Sequence, residues 1–507
     1  MRSLVSAAFL ILLSAPLLAG GARITIVNAN DPLVGFNDPT PAAPVGGNPG
    51  TTIGQQRLIA FQAAADIWAH LLDTPVEIRI QASFTALQCD ATTAVLGSAG
   101  PTQIVSDFPG AEFPGTWYAV ALGNKRAGKD LVPSADDIRA NFNSNLGNAN
   151  CLSGIGWYYG LDNAHGANVD LVTVLLHEFG HGLGFLTFVN LSNGTETMGR
   201  PDVFERRILD GATGKHWHEM TSAERVTSSL NGRRIAWDSP SVTAAVPSTL
   251  AAGTPLLTVN SPSGIAGDFA VGTASFGPQP TALGTSGALV AAAPSDACNA
   301  LTNGSALSGN LALVDRGTCT FVTKVKAAQN AGARAVIVVD NVDGSPPDGL
   351  GGTDDTITIP AVRVTLADGG KLKANVAAGV NVTLRLNLAQ LAGADSSGRV
   401  LLFATNPVQI GSSISHFESV AFPNLLMEPN INSDLQHRVD LTLPLLQDMG
   451  WFPDFDLDGV TDAQDNCVNV PNPGQEDANK NGVGDACERS VASSTRRGGT
   501  RVVPPRP

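Results

Sequence analysis

Apolar side chains recur along residues 55–72, QQRLIAFQAAADIWAHLL, at Leu58, Phe61, Ala65, Trp68 and Leu72. That spacing predicts a helix with one face on a core. The period then changes. VEIRIQASF places Val76, Ile78, Ile80, Ala82 and Phe84 at alternate positions, the two-residue repeat of a half-buried strand. Residues 115–122, GTWYAVAL, read as another strand, and a long Gly- and Asn-rich stretch containing Cys151 follows. NVDLVTVLL returns to helical spacing through Leu171, Val174 and Leu175, with Asn168 or Asp170 as a polar cap and Gly182 and Gly184 as a stop. Helix and strand mixed in this way point to an α+β domain.

From about residue 244 the texture shifts to Ala, Gly, Ser and Pro with short apolar runs. LALVD (311–315), TFVTKVKAAQNAGA (320–333) and AVIVV (335–339) form a strand, helix, strand unit, and IPAVRV and VNVTLRL add strands. At the start of the chain, Arg2 precedes LVSAAFLILLSAPLLA and small residues up to Ala22. This is the pattern of a signal peptide over residues 1–22, with cleavage near Ala19 or Ala22. No later apolar run is long enough to span a bilayer, so a secreted product without a membrane span is expected.

A chain of 507 residues with 43% hydrophobic content can bury more than one core. Its net charge of -14 argues against a nucleic-acid partner, whose phosphates need a basic surface. Much of the acid is concentrated between Asp454 and Glu488, where Lys480 is the single lysine, which indicates a cation site. Six cysteines in an exported chain suggest three disulfides, and proximity favours Cys89 with Cys151, Cys298 with Cys319, and Cys467 with Cys487.

Residues 177–185 read HEFGHGLGF. Histidines four apart on a helix project from one face, so His177 and His181 can offer ring nitrogens to one tetrahedral zinc. Glu178 beside them can take a proton from a water activated by the metal, the chemistry of a metal-dependent peptidase. The bland alternative is a chance match on a buried helix with satisfied histidines. His70 and His165 read as structural or surface residues.

Three resemblances extend this reading. ALVDRGTCTFVTKVKAAQNAGARAVIVVDN with IPAVRVTLADGGKLKANVAAG resembles the protease-associated domain, a non-catalytic module of secreted peptidases, over residues 245–395. That family implies a substrate-contacting or lid role; an inert spacer is the alternative. SISHFESVAFPNLLMEPNINSD resembles the second half of a metzincin active site. In the leishmanolysin-like branch an inserted domain separates HExxHxxGF from the third histidine, and a methionine turn follows. The resemblance makes His177, His181 and His416 the zinc ligands, Glu178 the general base, and Met427 an apolar floor rather than a ligand, a simple core methionine being the bland reading. The compact metzincin spacing fails, because residue 187 is Thr187. Competing ligands are His216 and His218 of the HWH run, and Glu205; His437 reads as structural.

DFDLDGVTDAQDNCVNVPNPGQEDANKNGVGDACE resembles a thrombospondin type 3 repeat. Asp454, Asp456, Asp458, Asp462 and Asp465 match its first acidic half, and Asp477, Asn479, Asn481 and Asp485 its second, which implies structural calcium. The expected architecture is a metzincin-like α+β catalytic domain in two parts, residues 23–244 and 396–452, interrupted by an α/β protease-associated domain at 245–395. A calcium module (453–488) and a disordered tail (489–507) follow. The expected activity is that of a secreted zinc endopeptidase acting on protein or peptide substrates. The alternative is a secreted calcium-dependent adhesion protein with a vestigial peptidase fold.

Overall fold

A computed structural model describes residues 21–488, except 348, 454, 455, 457, 459, 463 and 469. The expected signal peptide up to residue 20, the tail from residue 489, and Asp454 lie outside the described residues. No helix among those described is long and apolar enough to cross a membrane.

The first long helix, α1 (Ile53–Leu71), starts where the Thr52 side chain accepts a hydrogen bond from Gln55 N–H. Its inner face carries Ala60, Phe61, Ala64, Ala65 and Trp68. Leu58, expected on that face, is instead 41% exposed. The inward position is held by Arg57, which donates to Gly35 O at 3.0 Å and lies 4.5 Å from the Phe84 ring centroid. Cation–π contact and a satisfied carbonyl let the arginine displace the leucine.

Four strands form the sheet beneath α1: β1 (Ile24–Asn28), β2 (Ile78–Thr85), β3 (Gly97–Pro101) and β4 (Ile138–Asn143). Their order is β1, β2, β4, β3, with the first three parallel and β3 antiparallel at the edge. Ile78, Ile80, Ala82 and Phe84 of β2 point into the core, as alternation requires.

The strand expected at 115–122 is a correction. Tyr118 and Ala119 form a two-residue strand preceded by an isolated bridge at Trp117, and α2 (Val120–Ala127) follows, closed by Gly128 at φ +63°. Residues 118–125 are buried continuously, and a run apolar on every side fits a buried helix as well as a strand.

The metal-motif helix, α3 (Leu171–Gly182), packs against α1 and β3. Asp170 caps it by accepting from Thr173 N–H at 2.7 Å, and His437 Nε2 lies 2.9 Å from the same carboxylate. At the other end the Trp451 indole N–H donates to Leu183 O at 2.8 Å. All these elements share one core with α4 (Pro240–Thr249) and the C-terminal helix α5 (Thr442–Met449).

An eight-stranded mixed sheet lies between them in sequence, and separate apolar clusters pack within it. Strand Leu311–Asp315, helix Phe321–Asn330 and strand Ala335–Val339 form a parallel unit within it. The expected limits of 245 and 395 need adjustment. The sheet begins at Ala252 and ends at Leu391, which sit opposite each other, and Ala392 N–H donates to Ala251 O. Residue 245 falls inside α4, whose Val246 belongs with Leu250 and Ala394 to the large core. Three disulfides join Cys89 to Cys151, Cys298 to Cys319 and Cys467 to Cys487.

Candidate metal centre

Helix α3 carries His177 and His181 one turn apart, and the returning chain brings His416 to them. His416 Nε2 lies 3.3 Å from His181 Nε2 and 3.3 Å from His177 Nε2. The Nδ1 atoms point outward to backbone carbonyls: His177 to Leu426 O at 2.7 Å, His181 to Phe185 O at 2.8 Å, and His416 to Ser412 O at 2.8 Å. A carbonyl only accepts, so each Nδ1 carries the proton and each Nε2 presents a lone pair.

Three lone pairs facing one another repel unless a cation sits between them. Nitrogens about 2.05 Å from a tetrahedral zinc stand about 3.3 Å apart, the spacing found here. The donor set therefore fits zinc. Burial holds His177 at about 3 and His181 at about 4, and pulls His416 well below the usual imidazole range. The metal-binding neutral form is thus the one present at neutral pH.

Glu178 is buried beside this cluster, and burial raises its carboxyl to about 8 against an opposing backbone hydrogen bond from Ala99. Ala99 belongs to the edge strand β3, so the Glu178 carboxyl and the sheet edge meet at the site. Met427 is fully buried. A Cβ at Gly180 would stand 2.9 Å from its sulfur, so the glycine lets the thioether lie against α3 between the two histidine turns.

Other candidates are held elsewhere. Two His, Cys, Asp or Glu groups among the described residues are compact enough for a metal: His177, His181 and His416, and Asp456, Asp458 and Asp465. His216 Nε2 lies 2.9 Å from Asp238, and neither it nor His218 joins the first cluster. Glu205 is buried against Arg225 at 3.1 Å. Thr187 donates to Asp202 at 2.8 Å. His70 Nδ1 meets Asp66 O, and His165 meets Asn168 O and Ser433 O.

In the acidic module Asp456, Asp458 and Asp465 converge, while Asp462 is not in that cluster. Asp477, Asn479 and Asn481 accept from backbone N–H groups of their own turn. Asp485 accepts from Ala478 N–H. Asn479 and Asn481 also donate to Glu488, a carboxylate absent from the sequence-derived ligand set. The carbonyls of Leu426, Phe185 and Ser412, and the small size of Gly180, were missed as well. Of these only Phe185, through the GLGF run, carried a sequence signal.

Comparison with known proteins gives two module matches: the PA domain over residues 285–372 and the thrombospondin type 3 repeat over residues 453–475. A probable leucine aminopeptidase 2 of Aspergillus fumigatus is 33% identical over 24% of this chain and 27% of its own length. ER degradation-enhancing alpha-mannosidase-like protein 3 of Xenopus laevis is 36% identical over 17% of this chain and 10% of its own. The chain thus spans a minor part of these relatives, whose names denote different activities. A zinc aminopeptidase from Bacillus subtilis overlaps 29% of this chain and 36% of its own at 24% identity, TM-score 0.21. An aminopeptidase from Aneurinibacillus sp. strain AM-1 overlaps 37% and 42% at 19% identity, TM-score 0.22. What these comparisons place in the chain is a PA domain followed by a thrombospondin type 3 repeat.

Proposed function

We propose that this chain is an exported zinc-dependent endopeptidase of metzincin type, with a PA domain inserted in its catalytic domain. The observation that carries the reading is the 3.3 Å convergence of the His177, His181 and His416 Nε2 atoms with every Nδ1 turned to a carbonyl. Zinc bound there would supply a Lewis acid that acidifies water and polarises a peptide carbonyl. Glu178 takes the proton of the attacking water and returns it to the leaving amine, the paired base and acid steps of one positioned carboxylate. Among the described residues strand β3 has a strand neighbour on one side only, so its outer edge, where Ala99 meets Glu178, can pair with an extended substrate. An open edge requires no chain terminus, which favours cleavage within chains.

The three disulfides and the apolar leader support export. The convergence of Asp456, Asp458 and Asp465 within the thrombospondin type 3 match supports structural calcium in the C-terminal module. The test of the enzyme reading is Glu178→Gln. It should keep zinc and the fold while lowering casein hydrolysis by about 100- to 10,000-fold, and chelator should abolish wild-type hydrolysis. Near wild-type turnover in the mutant would end the mechanism. A folded, zinc-free wild type without peptidase activity would favour the adhesion reading.

A further inference from the structure

Two of the three imidazoles take their orientation locally. His181 donates to Phe185 O four residues on, and His416 to Ser412 O four residues back. His177 is different. Its acceptor is Leu426 O, 249 residues away in the turn that carries Met427. The aim of the first ligand therefore depends on how firmly that turn is held.

Leu426 is gripped at its other polar atom by Asp440, whose Oδ2 accepts the Leu426 N–H at 2.6 Å. The second carboxylate oxygen is used as well, since Oδ1 accepts from Thr442 N–H at 3.2 Å and from Thr442 Oγ1 at 3.1 Å. Both oxygens act as acceptors, so only a carboxylate serves both sides. An asparagine would turn an NH2 group on one of the two donors. Asp440 also sits at φ +29°, on the left-handed side that Asp and Asn tolerate better than most residues with side chains. Through this one residue the methionine turn is tied to the start of α5. Thr442 lies near Gly180 in turn, its Cγ2 3.7 Å from where a Cβ would be.

We propose that Asp440 is a positioning residue for the first metal ligand, fixing Leu426 so that its carbonyl sets the tautomer and direction of His177. The proposal rests on the zinc reading above. Glu428 provides a matched control. It is a buried carboxylate in the same turn, and it too accepts with both oxygens, from Leu425 N–H at 2.7 Å and Asn432 Nδ2 at 3.0 Å. Leu425 O, however, accepts from Glu428 N–H and not from a histidine.

The experiment compares wild type, Asp440→Asn, Glu428→Gln and His177→Ala as full chains. Zinc affinity is measured by competition with a chromophoric chelator, and the visible spectrum is recorded with cobalt(II) in place of zinc. Circular dichroism checks the fold. Asp440→Asn should bind zinc about 10-fold more weakly or worse, as loss of an outer-shell partner does, and its cobalt bands should move. Glu428→Gln should match wild type in both. Equal zinc affinity in Asp440→Asn overturns the proposal, and so does an equal loss in Glu428→Gln, which would make the effect one of the whole turn. A wild type that binds no zinc, or a His177→Ala variant that binds it as tightly, fails the zinc reading itself.

Discussion

His416→Ala tests the joining of two parts of the chain that lie 235 residues apart. Structural zinc sites with four protein ligands bind with about 10 to 16 kcal/mol, so each ligand supplies about 3 kcal/mol, equivalent to about 100-fold in affinity. His416 is 4% exposed and its Nε2 touches both partners, and among the described residues no further His, Cys, Asp or Glu joins that group to replace it. At free zinc about ten times the wild-type Kd, occupancy should fall from nearly full to about one site in ten. His216→Ala removes partly exposed contacts to Asp238 and Glu219, the Asp238 pair being an interaction of about 0 to 1 kcal/mol, and should keep its zinc, as should His218→Ala. The assay is zinc per chain by mass spectrometry after dialysis against buffered zinc. Full occupancy in His416→Ala, or loss in either of the other two, would place the third ligand elsewhere and remove the metzincin reading.

Two further outcomes follow from packing and charge. Gly180→Ala gains about 1 kcal/mol of helix propensity but drives a methyl to 2.9 Å from Met427 Sδ, an overpacking cost of about 1 to 3 kcal/mol. It should therefore lower stability in wild type yet raise it in a Met427→Ala background; the same sign in both, by denaturant unfolding, would disprove the contact. The converging carboxylates of Asp456, Asp458 and Asp465 repel without a cation, so calcium at about 100 times its Kd should stabilise the module by about 2.7 kcal/mol and slow its proteolysis. Absence of calorimetric heat at millimolar calcium in the full chain would reduce the segment to an acidic tail.

What could be read from sequence was what local rules govern. The helix around His177 follows from its cap and its spacing, and the disulfides from proximity. The strand expected at 115–122 failed because a continuous apolar run has no period to distinguish strand from buried helix. Leu58 was misassigned because pattern counts hydrophobicity, whereas Arg57 earns its inward place through Phe84 and Gly35 O. The second half of the candidate metal centre was reached only through a family resemblance. The carbonyls that orient the histidines were out of reach, since a backbone oxygen has no residue signature and Leu426 meets His177 only in three dimensions. Asp440 was hidden for the same reason: its role lies in a pairing between irregular segments.

The insertion itself explains how His416 can lie so far along the chain from His177 and His181 without being loosely placed. Ile235 to Trp237, before the eight-stranded sheet, pair with residues after it: Trp237 N–H donates to Val400 O, and Leu402 N–H to Ile235 O. From there Phe403 N–H donates to His416 O, and Phe417 N–H to Met427 O. A relay of isolated bridges and backbone hydrogen bonds thus runs from the core strand to His416 and on to the turn of Met427. The intervening residues leave and return at one point, Ala252 beside Leu391, so a loop of this length costs little more in closure entropy than a short one. Side contacts break this independence: Ser345 exchanges both backbone hydrogen bonds with Asn406, ten residues before His416, and Arg233 Nη2 donates to Val271 O at 2.9 Å. The inserted domain is therefore free to vary wherever it does not touch these segments, and coupled to the candidate metal centre through Asn406 where it does.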